Sequence, residues 1–233
     1  MVERTPLVLV PGVLCTRALW EAQLKGLADV AHMTVAEHAR HDTMTGIAES
    51  ILASAPARFA LAGLSMGGYI SHEIFRLAPE RIMKLALLDT GSRADPPERG
   101  AQRRELIAKA GREGTRAAQQ QLLPVLIHTD RLQDKPLVEA VLRMGEDTSV
   151  QGFTNQQTAL MGRPDSRPQL PRIKCPTLVL VGREDALTPL ELSQEMANGI
   201  PNAKLEIIAD CGHLSTMERP EAVNRALRAW LAA

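Results

Sequence analysis

The chain of 233 residues is 45% hydrophobic and 23% charged, a composition typical of globular proteins that excludes a disordered or collagen-like chain. Its 27 basic and 27 acidic residues give a formal net charge of zero, so it lacks the basic excess with which proteins bind nucleic acid. With only two Trp, one Tyr and three Phe, it is also too poor in aromatic residues for a base-stacking platform, and we expect no nucleic-acid partner.

Short apolar runs alternate with stretches of helical spacing along the chain. In chain order, the predicted elements are strand 7–10, helix 16–28, strand 33–37, helix 45–53, strand 59–64, helix 66–77, strand 85–88, strand 178–181, strand 204–208 and helix 218–231. The apolar runs show little polar alternation, as in strands that are buried on both faces of a parallel sheet. Strand alternating with helix predicts an α/β fold whose ligands bind at the carboxyl ends of the strands.

The alternation stops between Gly91 and Pro171, where about eighty residues carry helical patterns and no convincing strand. We predict that residues 94–170 form a helical cap or lid inserted into an α/β core of residues 1–93 and 171–233. Met144, Phe153 and Met161 in this segment either line an adaptable apolar pocket or serve for packing alone.

The amino-terminal residues show no signal-peptide pattern, and no apolar run reaches the ~18 residues of a membrane-spanning helix. The three cysteines, Cys15, Cys175 and Cys211, are an odd number without a CxxC-type spacing. This pattern argues against a disulfide framework and against a structural zinc site. We therefore expect a cytoplasmic protein with free thiols and no membrane span.

The strongest chemical motif is the sequence Gly-Leu-Ser-Met-Gly at residues 63–67, which matches G-x-S-x-G. Chance predicts roughly 0.04 such matches in a chain of this composition. Ser65 lies at the end of the predicted strand 59–64 and directly before the predicted helix 66–77. This strand–turn–helix arrangement is typical of a nucleophile elbow. The alternative is a glycine-rich turn whose serine only caps the helix.

A serine hydroxyl needs an adjacent base before it acts as a nucleophile, and six histidines compete for that role. His213 follows the predicted strand 204–208 and precedes the last helix, which places it in a loop at the carboxyl edge of the sheet. His72 lies about two helical turns beyond Ser65, too far along the helix to reach it. His213 is therefore the predicted base.

Asp185 is the predicted acid that orients this base. It follows strand 178–181 directly, and it completes the chain order Ser, Asp, His. Asp89 also follows a predicted strand, 85–88, and remains an alternative for the acid.

With these segments, the chain resembles the α/β-hydrolase superfamily, in its branch of small capped esterase-like and carbon–carbon-bond hydrolases. The resemblance rests on the Gly-Leu-Ser-Met-Gly-Gly turn, on the segment around Asp185 and on the segment around His213, and it covers nearly the whole chain. It implies an oxyanion hole formed by two backbone N–H groups, those of Val13 and Met66. It also implies a reaction without metal or organic cofactor.

Three departures from the family pattern concern the loops around the site and the size of the sheet. Family members usually carry His-Gly in the first turn, where this chain has Pro11 and Gly12. Many carry Gly-His-Gly after the second strand, where residues 38–42 read His-Ala-Arg-His-Asp. The chain also begins almost at its first core strand, so we expect a reduced sheet of about six strands.

The predicted function is hydrolysis of an ester or related acyl bond in a small, largely apolar substrate, as a carboxylic ester hydrolase. The same triad serves carbon–carbon-bond, lactone or amide hydrolysis and perhydrolysis, and the sequence does not separate these reactions. An alternative of another class is a small-ligand sensor with this fold and a slow or silent triad.

Overall fold

The computed structural model describes residues 4–233. Its sheet contains six parallel strands in the order β2-β1-β3-β4-β5-β6. Their bounds are Thr5–Val10 (β1), Ala31–Val35 (β2), Phe59–Leu64 (β3), Ile82–Leu88 (β4), Thr177–Gly182 (β5) and Lys204–Ile208 (β6). The predicted α/β fold with a parallel sheet of about six strands is confirmed.

Ten α-helices are present in residues 4–233. They span Glu21–Gly26 (α1), Met44–Ser54 (α2), Met66–Leu77 (α3), Arg99–Glu113 (α4), Thr115–Leu126 (α5), Lys135–Asp147 (α6), Val150–Met161 (α7), Leu190–Gly199 (α8), Ser215–Glu218 (α9) and Pro220–Ala232 (α10). No helix within these residues is long and apolar enough to cross a membrane.

Alternate residues of each central strand enter two different apolar layers. Leu7 and Leu9 of β1 lie in the layer that contains Trp20 and Trp230. Val8 and Val10 of the same strand lie in the opposite layer, which is formed with helices α2, α3 and α8. Because both faces of the sheet are covered, strands β3 and β5 are buried along their whole length. This two-sided burial explains why their sequences are continuous apolar runs.

Several predicted boundaries were wrong near the ends of elements. Strand β2 lies two residues earlier than predicted, and β4 begins at Ile82 instead of residue 85. The predicted helix 16–28 begins with a 3₁₀ turn over Arg17–Trp20, which Thr16 caps by accepting a hydrogen bond from the Ala18 N–H.

The predicted helix 218–231 is divided into α9 and α10. The chain leaves helical geometry at Arg219, with φ −135° and ψ 56°. Pro220 causes this break, because the proline ring disfavours helical geometry in the residue before it.

Helices α4–α7 form the helical insertion, which we define as residues 99–161, between β4 and β5. In the described part of the chain, no strand lies between these two. The segments that lead into and out of the insertion meet where the Ser166 N–H donates to the Ser92 carbonyl oxygen at 2.7 Å. The segments that flank the insertion therefore lie side by side on the carboxyl-end side of β4, before the chain continues to the start of β5.

Candidate active site

Ser65 lies in a strained turn between β3 and α3. Its backbone has φ 56° and ψ −116°, which is rare for a residue with a side chain. The Ser65 N–H donates to the Leu88 carbonyl at 3.0 Å, and the Ser65 carbonyl accepts from the Thr90 hydroxyl at 2.8 Å. Both contacts come from the neighbouring strand β4 and the residues after it, so the sheet itself fixes the turn.

The glycines of the motif allow this turn to pack closely. A Cβ on Gly63 would lie 2.1 Å from the Gly67 carbonyl oxygen, and a Cβ on Gly67 would lie 2.1 Å from the Val10 carbonyl oxygen. Any larger residue at either position would displace backbone. The two glycines in G-x-S-x-G therefore serve the contact of α3 with β1 and β3.

His213 and Asp185 are brought together from two loops that follow β6 and β5. The His213 Nδ1 atom lies 2.8 Å from the Asp185 Oδ2 atom, and both side chains are almost completely buried. The other Asp185 oxygen accepts from the N–H groups of Leu187 and Thr188, at 2.9 and 2.8 Å. These bonds hold the carboxylate in one orientation against the imidazole.

Thr188 is a contact that the sequence interpretation did not identify. Its hydroxyl donates to Asp185 Oδ2 at 2.6 Å and lies 3.2 Å from His213 Nδ1. The signal was available, because Thr188 follows three residues after Asp185, a spacing at which an aspartate accepts bonds from its own turn.

Asp89, the alternative acid, is completely buried but makes no hydrogen bond to His213. Its carboxyl group accepts from the Gly182 N–H at 2.9 Å and from the Ser215 hydroxyl at 2.5 Å. Burial, with the nearby charge of Asp185, raises the pKa of Asp89 to about 8. The two hydrogen bonds of Asp89 join the end of β4 to the end of β5 and to Ser215, just after the loop that carries His213.

The charges in this cluster favour a protonated imidazole. Burial alone lowers the pKa of His213, but the charge and hydrogen bond of Asp185 outweigh it and raise that pKa above its ordinary value. The reverse holds for the carboxylate: burial raises the pKa of Asp185, and the interaction with His213 brings it below the ordinary value. The pair therefore stabilises a positive charge on the ring.

The loop around His213 is held by carboxylates on both sides. Glu184 accepts from the Cys211 N–H at 3.0 Å. Glu218 accepts from the His128 N–H at 2.8 Å and from the Leu214 N–H at 3.3 Å. Cys211 itself is buried and free.

Ser65 and His213 line one cavity of about 350 Å³. The His213 Nε2 atom is buried, and it has no hydrogen-bond partner among residues 4–233. Ser65 and His213 therefore line the same cavity without a hydrogen bond between them, while the first ring nitrogen of His213 is occupied by Asp185.

Val13 and Met66 also line this cavity. Within the described chain, neither backbone N–H donates a hydrogen bond to another group. The Met66 N–H begins helix α3, where the first N–H groups have no partner inside the helix and carry the positive end of its dipole. Both predicted donors therefore lie at the cavity with Ser65.

Much of the remaining wall comes from the helical insertion. Leu106 of α4, Leu122 and Leu126 of α5 and Leu160 of α7 supply an apolar surface, with the Tyr69 ring from α3 opposite. Met144 and Phe153 are buried in packed clusters and do not line the cavity, so these two serve the packing alternative. His72 lies in the interior of the protein away from the cavity.

Comparisons with known proteins were made for both sequence and structure. The profile described as "Alpha/beta hydrolase family" matches residues 7–226. Among solved structures, a thermophilic esterase from Thermogutta terrifontis superposes with a TM-score of 0.89 at 32% identity, covering 98% of this chain and 89% of the esterase. An enol-lactonase from Burkholderia xenovorans superposes with a TM-score of 0.88 at 24% identity, covering 99% of this chain and 92% of the other, which supports the fold alone.

A curated relative is similar at the sequence level. It is the 2-hydroxy-6-oxononadienedioate/2-hydroxy-6-oxononatrienedioate hydrolase of Burkholderia vietnamiensis, 28% identical over 182 residues. The alignment covers 75% of this chain but 62% of that hydrolase, so the chain matches less than two thirds of the relative's length.

Proposed function

Because the chain belongs to the α/β hydrolase family and is similar to an esterase and to a dioate hydrolase, we propose that it is a serine hydrolase that cleaves an ester or related acyl bond. In this proposal Ser65 is the nucleophile, His213 the general base and Asp185 the acid that orients it. The observation that carries it is the 2.8 Å contact from His213 Nδ1 to Asp185, with Nε2 left unpartnered in the cavity that Ser65 lines.

The first step is attack of the Ser65 hydroxyl oxygen on the acyl carbonyl carbon. His213 Nε2 accepts the hydroxyl proton, and the imidazolium that forms is stabilised by Asp185. The raised pKa of His213 is consistent with a pair that favours the charged ring. The protonated Nε2 then donates its proton to the leaving group, and water releases the acyl group by the same route.

The negative charge that develops on the carbonyl oxygen requires hydrogen-bond donors. We assign this role to the Val13 and Met66 N–H groups, since both line the cavity with Ser65 and both lack a partner among the residues described. A single donor of this kind contributes ~3 kcal/mol of transition-state stabilisation in serine hydrolases.

The shape and lining of the cavity favour a small, largely apolar acyl substrate. Its volume of about 350 Å³ accommodates a small molecule, and leucine side chains from the helical insertion form much of its wall. In this proposal the helical insertion acts as a cap over the nucleophile. The similarity to an esterase at 32% identity favours ester cleavage as the first activity to test.

The decisive experiment is labelling with a small fluorophosphonate, read as intact mass. An activated Ser65 displaces fluoride and gives one covalent adduct on the wild-type protein. Ser65→Ala is expected to give none, whereas Ser54→Ala, at the end of α2 and away from the cavity, keeps the wild-type adduct. A wild-type protein that stays unlabelled while folded contradicts an activated serine and favours the sensor alternative.

If the serine is labelled, a fresh unlabelled sample is assayed with esters, thioesters, lactones and diketones of graded acyl size. Ester turnover that depends on Ser65 supports the proposed reaction. Turnover of a diketone that carries two carboxylate groups, without ester turnover, instead favours the alternative of carbon–carbon-bond hydrolysis. The substrate in the name of the Burkholderia vietnamiensis relative is such a dioate.

A further inference from the structure

The loop that carries the Val13 N–H is a tight turn formed by Gly12, Val13, Leu14 and Cys15. It is closed by the Cys15 N–H, which donates to the Gly12 carbonyl oxygen at 3.2 Å. Leu14 has φ 53°, in the left-handed region that favours glycine. A β-turn without glycine at such a position needs additional contacts to hold it.

Two buried side chains outside the turn provide those contacts. The His38 Nε2 atom, from the loop after β2, lies 2.9 Å from the Gly12 carbonyl oxygen. The Gln156 Oε1 atom, from helix α7, accepts from the Leu14 N–H at 3.2 Å. The two side chains also contact each other, with 3.0 Å between Gln156 Nε2 and His38 Nε2.

These contacts act on the peptide groups that orient the Val13 N–H. The Gly12 carbonyl and the Val13 N–H belong to one planar trans peptide and point in opposite directions. A hydrogen bond that fixes the Gly12 oxygen therefore fixes the direction of the Val13 N–H. The bond from Leu14 to Gln156 fixes the next peptide in the same way, and so prevents the turn from flipping.

The two contacts of the His38 Nε2 atom belong to different neutral tautomers, and the tautomer with the proton on Nε2 is the one that holds the Gly12 oxygen. With the proton on Nε2, the ring donates to the Gly12 oxygen. With the proton on Nδ1, the Nε2 atom accepts from the Gln156 amide and keeps the amide oxygen turned toward the Leu14 N–H. His38 has only 5% of its surface exposed, and Gln156 1%, so water does not replace either partner.

We propose that His38 and Gln156 are positioning residues that hold the Gly12–Val13 peptide so that its N–H faces the reacting carbonyl oxygen. This inference rests on the proposed function, because it assigns the Val13 N–H to the oxyanion hole. The turn lies against the nucleophile: a Cβ on Gly12 would be 3.2 Å from the Ser65 Cβ. Through Gln156, the helical insertion takes part in orienting a donor that the core supplies.

The test compares His38→Leu and Gln156→Leu with a matched control on the same helix. Asn155, next to Gln156, donates to the Ala39 and Arg40 carbonyls at 3.0 and 3.2 Å. Asn155→Ala therefore removes contacts between α7 and the same loop but no hydrogen bond to the Gly12 turn itself. His38→Gln is the conservative variant, because its amide offers a donor and an acceptor near the position of Nε2.

Two measurements are made on each variant, with one ester and with a trifluoromethyl ketone. Ser65 Oγ adds to the ketone carbon, the serine proton passes to His213, and the carbonyl oxygen becomes an oxyanion in the hole. We expect kcat per titrated site to fall about 10- to 100-fold in both Leu variants, with KM nearly unchanged, and the ketone to bind more weakly by a similar factor. Asn155→Ala stays near wild type, and His38→Gln recovers most of the loss.

Titration of active sites separates this role from a loss of folded protein, which lowers the number of sites but not the ketone affinity of those that remain. Leu variants that match Asn155→Ala in both measurements overturn the positioning role while leaving the proposed function intact. Ester turnover that survives Ser65→Ala overturns the proposed function, and the positioning role with it. If a Leu variant does not fold, the other Leu variant and His38→Gln give the same comparison.

Discussion

Strands β3 and β5 contact the rest of the core through apolar side chains along their whole length, whereas the helical insertion is also anchored by buried polar groups. Asp95 pairs with Arg103 at 2.6 Å and with Arg163 at 2.6 Å, and the Asp95 side chain is 3% exposed. The Arg163 guanidinium lies 4.2 Å from the centre of the Tyr69 ring in α3.

The two regions differ in how strictly their contacts depend on geometry. Apolar burial stabilises many arrangements of similar area, whereas buried ion pairs and hydrogen bonds are satisfied in one geometry only. Arg103 also donates to Gln157 at 2.8 Å, and both residues line the cavity. The core thus supplies stability, and the polar contacts of the insertion set the shape of the candidate site.

The largest expected effect concerns Asp185, the proposed acid, and its comparison with Asp89, the alternative. Asp185→Asn is expected to lower kcat by about 10⁴, because the imidazole loses its orienting charge. Asp89→Asn is expected to lower it less than about tenfold, since Asp89 makes its hydrogen bonds to Gly182 and Ser215 and an amide of similar shape replaces its carboxyl group. The measurement is ester turnover per titrated site at pH 7. A larger loss in Asp89→Asn would mean that Asp89 is the acid.

A pair of glycine variants tests the contrast in packing. Gly67→Ala places a Cβ 2.1 Å from the Val10 carbonyl and is expected to lower the free energy of unfolding by about 3 kcal/mol. Gly111→Ala, in α4 with no atom within 4 Å of the new Cβ, is expected to raise it by up to ~1 kcal/mol. Urea unfolding measures both. Equal effects would show that the two regions tolerate substitution alike.

The polar anchor of the insertion is tested by Asp95→Asn. Burial raises the pKa of Asp95, but the hydrogen bonds and charges of Arg103 and Arg163 outweigh it and hold the pKa below its ordinary value. The variant is expected to lose about 2 kcal/mol of unfolding free energy at pH 7. Glu139→Gln, at the exposed pair with Arg116, is the control and is expected to leave the free energy of unfolding nearly unchanged, because solvent screens an exposed ion pair.

The same variant carries a prediction about pH. A carboxylate whose pKa is lowered by folding stabilises the protein above its unfolded pKa, and this contribution is lost as the pH falls through the folded pKa. The stability difference between wild type and Asp95→Asn is therefore expected to shrink below about pH 4. A difference that stays constant down to pH 3 would contradict the ion-pair account.

The smallest expected effect is a shift in the pH dependence of activity. It is caused by the charges around His213. In the proposed mechanism neutral imidazole is the active base, and the pKa of His213 is raised above its ordinary value of 6.5. The acid limb of kcat/KM is therefore expected to have its midpoint above pH 6.5. Asp185→Asn is expected to move the residual activity's midpoint to lower pH. A wild-type midpoint below 6.5 would be inconsistent with the charges around the ring.

The sequence predicts the core well for a physical reason. Strands covered on both faces must be apolar throughout, so β3 and β5 are visible as continuous runs, and the G-x-S-x-G turn locates Ser65 between a strand and a helix. The break at Arg219 was predictable too, because Pro220 marks it. Asp185 and His213 follow from strand ends, and the structure places these two in contact.

The contacts of the insertion could not be predicted in this way. Gln156 reaches Leu14 across 142 positions and His38 across 118, and no spacing rule connects residues so far apart. The burial of Asp95 with Arg103 and Arg163 could not be predicted either, because most charged residues are solvated at the surface. Partner choice among buried polar groups depends on the final packing of the helices, and a single sequence does not contain that information.

The hydrogen bond between Ser166 and Ser92 also has a consequence for how such proteins diversify. The segment of residues 93–165, which contains the insertion, begins and ends one hydrogen bond apart, so the distance to be bridged is no greater than that across a β-turn. A segment attached in this way can lengthen, shorten or be exchanged without changing strand order or register. Evolution can therefore change the wall of the cavity by replacing this one segment, provided that the replacement again supplies a partner for the Leu14 N–H.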